Sequence, residues 1–173
     1  MKKARRSGLI AVILVLAMIA AAFVVMVVKN TPYGSSMKFG IFDDIGELAA
    51  LEKYAADGEE PEKDAALKNL EPKEAWVRVL NVDGSKCTVR AYVFGSHEDA
   101  AEYYKKAANR TKVNEGANGS ASAGGLFGPA RYVTVNDRNV LVITGKSLAE
   151  ISKALDAFFE ADPGALSPFE KKQ

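Results

Sequence analysis

Cysteine, histidine and tryptophan each occur once in the 173 residues, and these scarcities remove several function classes. Cys87 has no second cysteine, so no intramolecular disulfide forms and any domain outside the cytoplasm is held by its core alone. His97 has no second histidine with which to build a common metal site, and Cys87 has no cysteine or histidine near it in sequence. Charge of neither sign dominates. Lys2, Lys3, Arg5 and Arg6 account for four of the 23 basic side chains, so residues 7–173 carry 19 basic and 22 acidic groups, a net of −3. That balance excludes a nucleic-acid footprint and a polybasic lipid-binding surface.

What the chain does have is an uninterrupted uncharged run from Gly8 to Val28 behind that basic tail. Twenty-one residues at about 1.5 Å each span roughly 31 Å as a helix, the thickness of a bilayer's hydrocarbon core. The bias of positive charge to the N-terminal side predicts a cytoplasmic N-terminus. A cleaved signal peptide is the alternative. Its apolar region runs about 7–15 residues, whereas the Ala-x-Ala match Ala20-Ala21-Ala22 lies inside the run, and a cut after Ser36 would fall well beyond it. Ala17, Ala20 and Ala21 place small residues on one side of the helix, a surface compatible with helix pairing. The expected organisation is a cytoplasmic tail (1–6), a transmembrane signal anchor (7–28), a linker (29–42), an extracytoplasmic domain (43–162) and a C-terminal tail (163–173). Residues 7–28 take the lipid bilayer as their partner.

Beyond the linker, Asp43 to Ala56 reads as a helix capped by Asp43 or Asp44, with Ile45, Leu48, Leu51 and Tyr54 on its inner side. A second short helix is expected from Pro61 to Leu70. Glu59, Glu60, Glu62 and Asp64 around Pro61 lack the aspartate spacing and glycine of a calcium loop and read as a solvated helix start. Trp76–Val82 and Cys87–Phe94 flank Asp83-Gly84 and predict a hairpin. Ser96 caps a helix to Asn109, with Ala100, Tyr104, Ala107 and Ala108 facing inward. Arg131–Val135 and Val140–Thr144 form a second hairpin, and Ser147 with Glu150 makes a capping box for the last helix. There Leu148, Ile151, Leu155, Phe158 and Phe159 form the best amphipathic stripe in the chain. The expected fold is α+β: a single transmembrane helix followed by a ββαββα-like domain, with a four-stranded antiparallel sheet and helices on one face. Its two halves share an order of elements that could reflect duplication or simply a common solution.

Motifs with chemical content are few. Gly145-Lys146-Ser147 follows a strand and opens a helix, but Val140 stands where a phosphate-binding loop needs glycine. GANGSASAGGLFG, from Gly116 to Gly128, reads as a low-complexity loop without helix or strand period. Its glycines lack dinucleotide spacing, and loops of this length are functional or disordered. The segment reads as a flexible connector or as a binding or gating loop, and on the second reading Gly116, Asn118, Gly124, Gly125, Leu126, Phe127 and Gly128 are the candidate contacts for a partner or ligand. His97 in a first helical turn reads as exposed, Cys87 as a small apolar strand residue, and Asp83, Glu98, Asp99 and Asp137 as turn and cap residues. Trp76 and Tyr103-Tyr104 read as packing groups. No catalytic residue, metal ligand or cofactor is expected.

The segments TVRAYVFGSHEDAAEYYKKAANR and NVLVITGKSLAEISKALDAFF resemble the strand-then-helix units of the SPOR peptidoglycan-binding domain. The resemblance covers about a quarter of the chain. It departs through the preceding hairpin, the glycine-rich insert and the lack of a closing strand, and it carries no site residues. The expectation is a bacterial, single-pass, membrane-anchored extracytoplasmic module that binds a protein or cell-wall partner and no nucleic acid. The alternatives are SPOR-like peptidoglycan binding, or a hydrolase whose carboxylates or Cys87 meet only in three dimensions.

Overall fold

The computed structural model describes residues 2–30, 40–109, 119–124 and 128–161. Helix α1 runs Lys2–Asn30. Within it Ile10–Val28 is the one stretch among the described residues long and apolar enough to cross a membrane, and none of it is buried by the rest of the protein. Ile10, Leu14, Ile19 and Phe23 stand more than half exposed.

The remainder is an α+β fold around a five-stranded antiparallel sheet. In chain order the strands are β1 (Glu74–Val82), β2 (Ser85–Val93), β3 (Gly119–Ser122), β4 (Ala130–Asn136) and β5 (Asn139–Gly145). Helix α2 (His97–Ala108) follows β2, and α3 (Leu148–Ala161) follows β5. The spatial order is β1-β2-β5-β4-β3. The four-stranded expectation is corrected by β3. Its sequence, Gly-Ser-Ala-Ser, has no apolar alternation to announce it, yet Ser120 pairs with Val133 and Ser122 with Arg131 at the sheet edge. The glycine-rich stretch is thus partly strand.

The expectation of helices on one face is also corrected. Val89, Ala91, Tyr132, Leu141 and Ile143 share a cluster with Ile151, Leu155 and Phe158 of α3. Tyr92, Val133, Val135, Val140 and Val142 share a second cluster with Ala100, Tyr103, Tyr104 and Ala107 of α2. Alternate residues of a strand point to opposite faces, so these clusters lie on the two sides of the sheet. The cause is visible in β5: Val140, Leu141, Val142 and Ile143 are all buried, a continuous apolar run suited to a strand covered on both sides. Of the expected inner faces, Leu148, Ile151, Leu155 and Phe158 of α3 and Ala100, Tyr104 and Ala107 of α2 are buried, with Tyr103 added to the latter, while Phe159 and Ala108 are only partly buried at the margins.

Local rules explain the connections. Asp83 and Gly84 both take positive φ (49° and 75°), the two-residue turn whose twist suits a tight hairpin. Asp137 supplies the positive φ (51°) of the second hairpin, and Asn109 (51°) closes α2 in a left-handed cap. Ser96 Oγ accepts from Asp99 N at 3.1 Å, and Ser147 Oγ from Glu150 N at 3.3 Å, so both expected caps form.

The helix expected over Asp43 to Ala56 is not an α-helix. Ile45–Tyr54 is a 3₁₀ helix, N-capped by Asp44. Ile45, Leu48, Leu51 and Tyr54 are spaced by three, which aligns them on a helix with 3.0 residues per turn and lets Leu48 and Leu51 pack under the α3 face. Likewise Pro61–Leu70 contracts to one 3₁₀ turn, Ala65–Leu67, N-capped by Asp64. Upstream, Ile41 and Phe42 are core residues, 2% and 0% exposed. Gly40 N donates to Tyr132 Oη (2.7 Å), that hydroxyl donates back to Gly40 O (3.2 Å), and Asn139 Nδ2 donates to Phe42 O (3.0 Å). Residues 40–42, read as linker from composition, are therefore built into the domain.

Candidate functional site

Two adjoining clefts, of about 710 and 560 Å³, run along the α2 face. They share Glu62, Arg90, Pro129 and Thr144, so they form one groove. Sheet register builds its floor. Arg90 of β2 pairs with Val142 of β5, which pairs with Val133 of β4; in the next row Thr88, Thr144 and Arg131 align. All six side chains project from the same face, and the two arginines stand on strands separated by β5, about 10 Å apart laterally. The walls are α2, through Lys106 and Ala107, and the segment that carries Asp64 and Lys68.

Arg90 is only 9% exposed. Its Nη2 donates to the carbonyl of Glu62 at 2.9 Å, while Nε is buried without a hydrogen-bond partner. The nearest carboxylate, Asp64 Oδ2, is 3.8 Å from that Nε. Asp64 is otherwise occupied: Oδ2 accepts from Tyr103 Oη (2.6 Å) and Tyr92 Oη (3.2 Å), and Oδ1 from Ala66 N (3.0 Å). Burial pushes both tyrosines well above their ordinary ionisation range, and the charge of Asp64 adds to it. They remain neutral donors that fix the carboxylate. Asp64 thus ties the segment after Pro61 to the sheet and to α2.

The larger cleft is lined by five basic side chains, Lys63, Lys68, Arg90, Lys106 and Arg131, against two acidic ones, Glu62 and Asp64. Arg131 Nη1 donates to Ala107 O at 2.7 Å, a neutral acceptor that orients the guanidinium without cancelling its charge. Lys106 pairs with Glu102 (2.7 Å) and also reaches Lys68 O (3.2 Å). The smaller cleft is balanced, with Lys86, Arg90 and Lys146 facing Glu59, Glu60 and Glu62.

Of the residues expected to contact a partner, Gly116, Asn118, Gly125, Leu126 and Phe127 lie outside the described residues. Gly124 and Gly128 are described and meet each other: a Cβ on Gly128 would come 2.1 Å from Gly124 O, and one on Gly124, at φ +49°, 1.9 Å from Pro129 O. Both glycines are required by the close backbone approach of Gly124 to Gly128 and Pro129, and Gly128 also borders the smaller cleft. In the acidic stretch Glu59, Glu60 and Glu62 are exposed and Asp64 caps a helical turn, as a solvated helix start would have it, but the Asp64 side chain is drawn inward. Glu59 pairs with Lys86, Glu62 contributes its carbonyl to Arg90, and Asp64 is the hub described above.

Cys87 is buried against Gly145, and burial, with the charge of Glu150 second, pushes its thiol up to about 12, leaving no thiolate for nucleophilic attack near neutrality. His97 is solvent-facing, with Nδ1 3.7 Å from Asp137 Oδ1. Gly145-Lys146-Ser147 serves α3: Ser147 Oγ caps it, and Glu150 Oε2 reaches back to accept from Lys146 N at 2.8 Å, one residue before the N-cap nitrogen of a standard capping box. Trp76 Nε1 donates to Glu52 Oε1 at 3.0 Å on the opposite side of the sheet from the groove. Among the described residues no group of three or more histidine, cysteine, aspartate or glutamate side chains is placed to hold a metal ion.

No family model matches the chain, and neither a curated protein nor a solved structure matches it. The two strand-then-helix segments are present as β2-α2 and β5-α3, but their helices cover opposite sides of the sheet.

Proposed function

We propose that the protein is a single-pass membrane protein whose α+β domain binds a partner or ligand outside the cytoplasm, through the groove on the α2 face. The observation that carries this reading is the pairing of an unburied 19-residue apolar helix with a separately cored domain beginning at Gly40. Eleven residues from Asn30 to Gly40 reach less than about 40 Å, so the domain works close to the bilayer. The basic tail favours a cytoplasmic N-terminus. A buried thiol and an exposed lone imidazole favour binding over a Cys- or His-based hydrolase.

Alkaline carbonate extraction of native membranes, followed by protease treatment of intact cells with the outer layers removed, tests the arrangement. The full-length chain should stay in the membrane pellet and lose its domain to external protease. Release of a shortened chain into the soluble fraction, or protection of the domain in intact cells, would overturn it.

A further inference from the structure

We infer that the larger cleft is a phosphate-binding site, taking either a small phosphate ester or the phosphate of a lipid headgroup. This assignment deepens the reading of the chain as a tethered binding module and rests on it.

Arg90 supplies the first argument. A guanidinium nine-tenths buried is costly unless an anion and a full set of acceptors meet it. Here its contacts are one neutral carbonyl and a carboxylate at 3.8 Å that already receives three other donors, and Nε is bare. The cation is held in place but incompletely satisfied, at the floor of an open cleft.

Convergence is the second argument. Residues 30–173 carry 18 basic and 22 acidic side chains, yet the cleft gathers five basic groups against two acidic ones. Arg131 lies on the same sheet face two strands from Arg90, with no carboxylate in ion-pair range among the described residues, and Thr144 stands on the strand between them. Lys106 approaches from α2, its ammonium shared with Glu102 at 2.7 Å. A planar carboxylate is saturated by one bidentate arginine, whereas a tetrahedral dianion accepts from donors on several sides. Two guanidiniums and a hydroxyl on the floor, with an ammonium at the wall that would exchange its Glu102 partner for the phosphate, suit the second geometry. A volume of about 710 Å³ leaves room for the group esterified to the phosphate.

The full-length chain, reconstituted into nanodiscs of neutral phosphatidylcholine, is titrated calorimetrically with inorganic phosphate and with glycerol 3-phosphate. The same titration is run in nanodiscs containing phosphatidylglycerol. Saturable binding should appear in the neutral discs, weaken as salt rises, and fall at least about tenfold in Arg131→Gln, a half-buried position outside the apolar core. Arg90→Lys should weaken it further if folded; Arg131→Gln decides the matter if it is not. Loss of soluble-ligand binding in the anionic discs identifies the lipid headgroup as the source. Retention identifies a soluble ester. No binding of either probe in neutral discs together with no effect of anionic lipid, or equal affinity in wild type and Arg131→Gln, overturns the assignment. Carbonate extraction reads the tether separately: a membrane-retained chain that ignores phosphate loses only the ligand, and a released chain that binds phosphate loses only the tether.

Discussion

Replacing Asp64 with alanine is the perturbation with the largest effect expected outside the apolar core. The carboxylate accepts from Tyr103 Oη, Tyr92 Oη and Ala66 N and is the anion nearest to Arg90. A hydrogen bond to a charged group contributes about 1.5–3 kcal/mol, and an N-cap about 1 kcal/mol. Removing one partner of a buried ion pair costs about 3–5 kcal/mol because the other charge stays behind. These effects overlap, so the expected loss for Asp64→Ala is about 4 kcal/mol. Asp64→Asn keeps one acceptor and the cap and should lose about 2 kcal/mol, and Tyr103→Phe about 1–2 kcal/mol. Urea unfolding of the full-length chain in non-ionic detergent, followed through the single tryptophan Trp76, measures all three. With a slope near 2 kcal/mol per molar urea, Asp64→Ala should lower the midpoint by roughly 2 M. Limited trypsin digestion should also cut the variant at Lys63 or Lys68 while the sheet remains folded, since Asp64 ties that segment down. A loss below about 1 kcal/mol with no new cleavage would refute the network as a structural hub.

Three further predictions concern the fold. Tyr92, Tyr103, Tyr132 and Cys87 have their ionisation pushed up by burial, so above the unfolded values near 9 for cysteine and 10 for tyrosine the native chain holds more protons than the unfolded one. Stability is fully present below about pH 9 and falls as pH climbs towards the native values; a loss of roughly 3 kcal/mol or more at pH 11 is expected in urea titrations, and a flat profile to pH 11 would contradict it. Cys87 should resist an aromatic disulfide reagent at pH 8 in the folded chain and react at once in urea, whereas fast native labelling would show it exposed. Gly40→Ala would bring a Cβ within 2.6 Å of the Phe159 ring and should cost about 1–3 kcal/mol by thermal unfolding, with an unchanged melting temperature refuting the close packing of this segment on α3.

How much of this was legible depended on how local each signal is. Helix α2, helix α3, both hairpins and their caps could be read because Ser96, Asp83-Gly84 and Ser147-x-x-Glu150 act within a few residues. The apolar stretch within α1 was equally plain. Burial on both sides of the sheet was harder, although the run Val140–Ile143 and the two apolar faces of β1 carried the clue. Missing it hid the groove. With helices on one side, Thr88, Arg90 and Tyr92 would face solvent; with α2 on their side, Arg90 becomes a buried cation. The strand Gly119–Ser122 had no apolar period, because an edge strand of small residues is defined by its partner β4. In Ile45–Tyr54 a spacing of three over ten residues is close to the α-helical period, so sequence alone shows a helix there without separating 3₁₀ from α. Asp64 resembled any solvated acidic residue, since its role depends on Tyr92, Tyr103 and Arg90, between 26 and 39 residues away.

The measurement that tests the groove as the binding surface most directly is hydrogen–deuterium exchange on the full-length chain in neutral nanodiscs, with and without saturating glycerol 3-phosphate. Slower exchange is predicted in the segment around Asp64 to Asn69, at the C-terminal turn of α2 near Lys106, and in β4 and β5 around Arg131 and Thr144. Protection confined to the opposite side of the sheet, at α3 and Ile45–Tyr54, or no protection at a concentration where the ligand binds, would contradict the account.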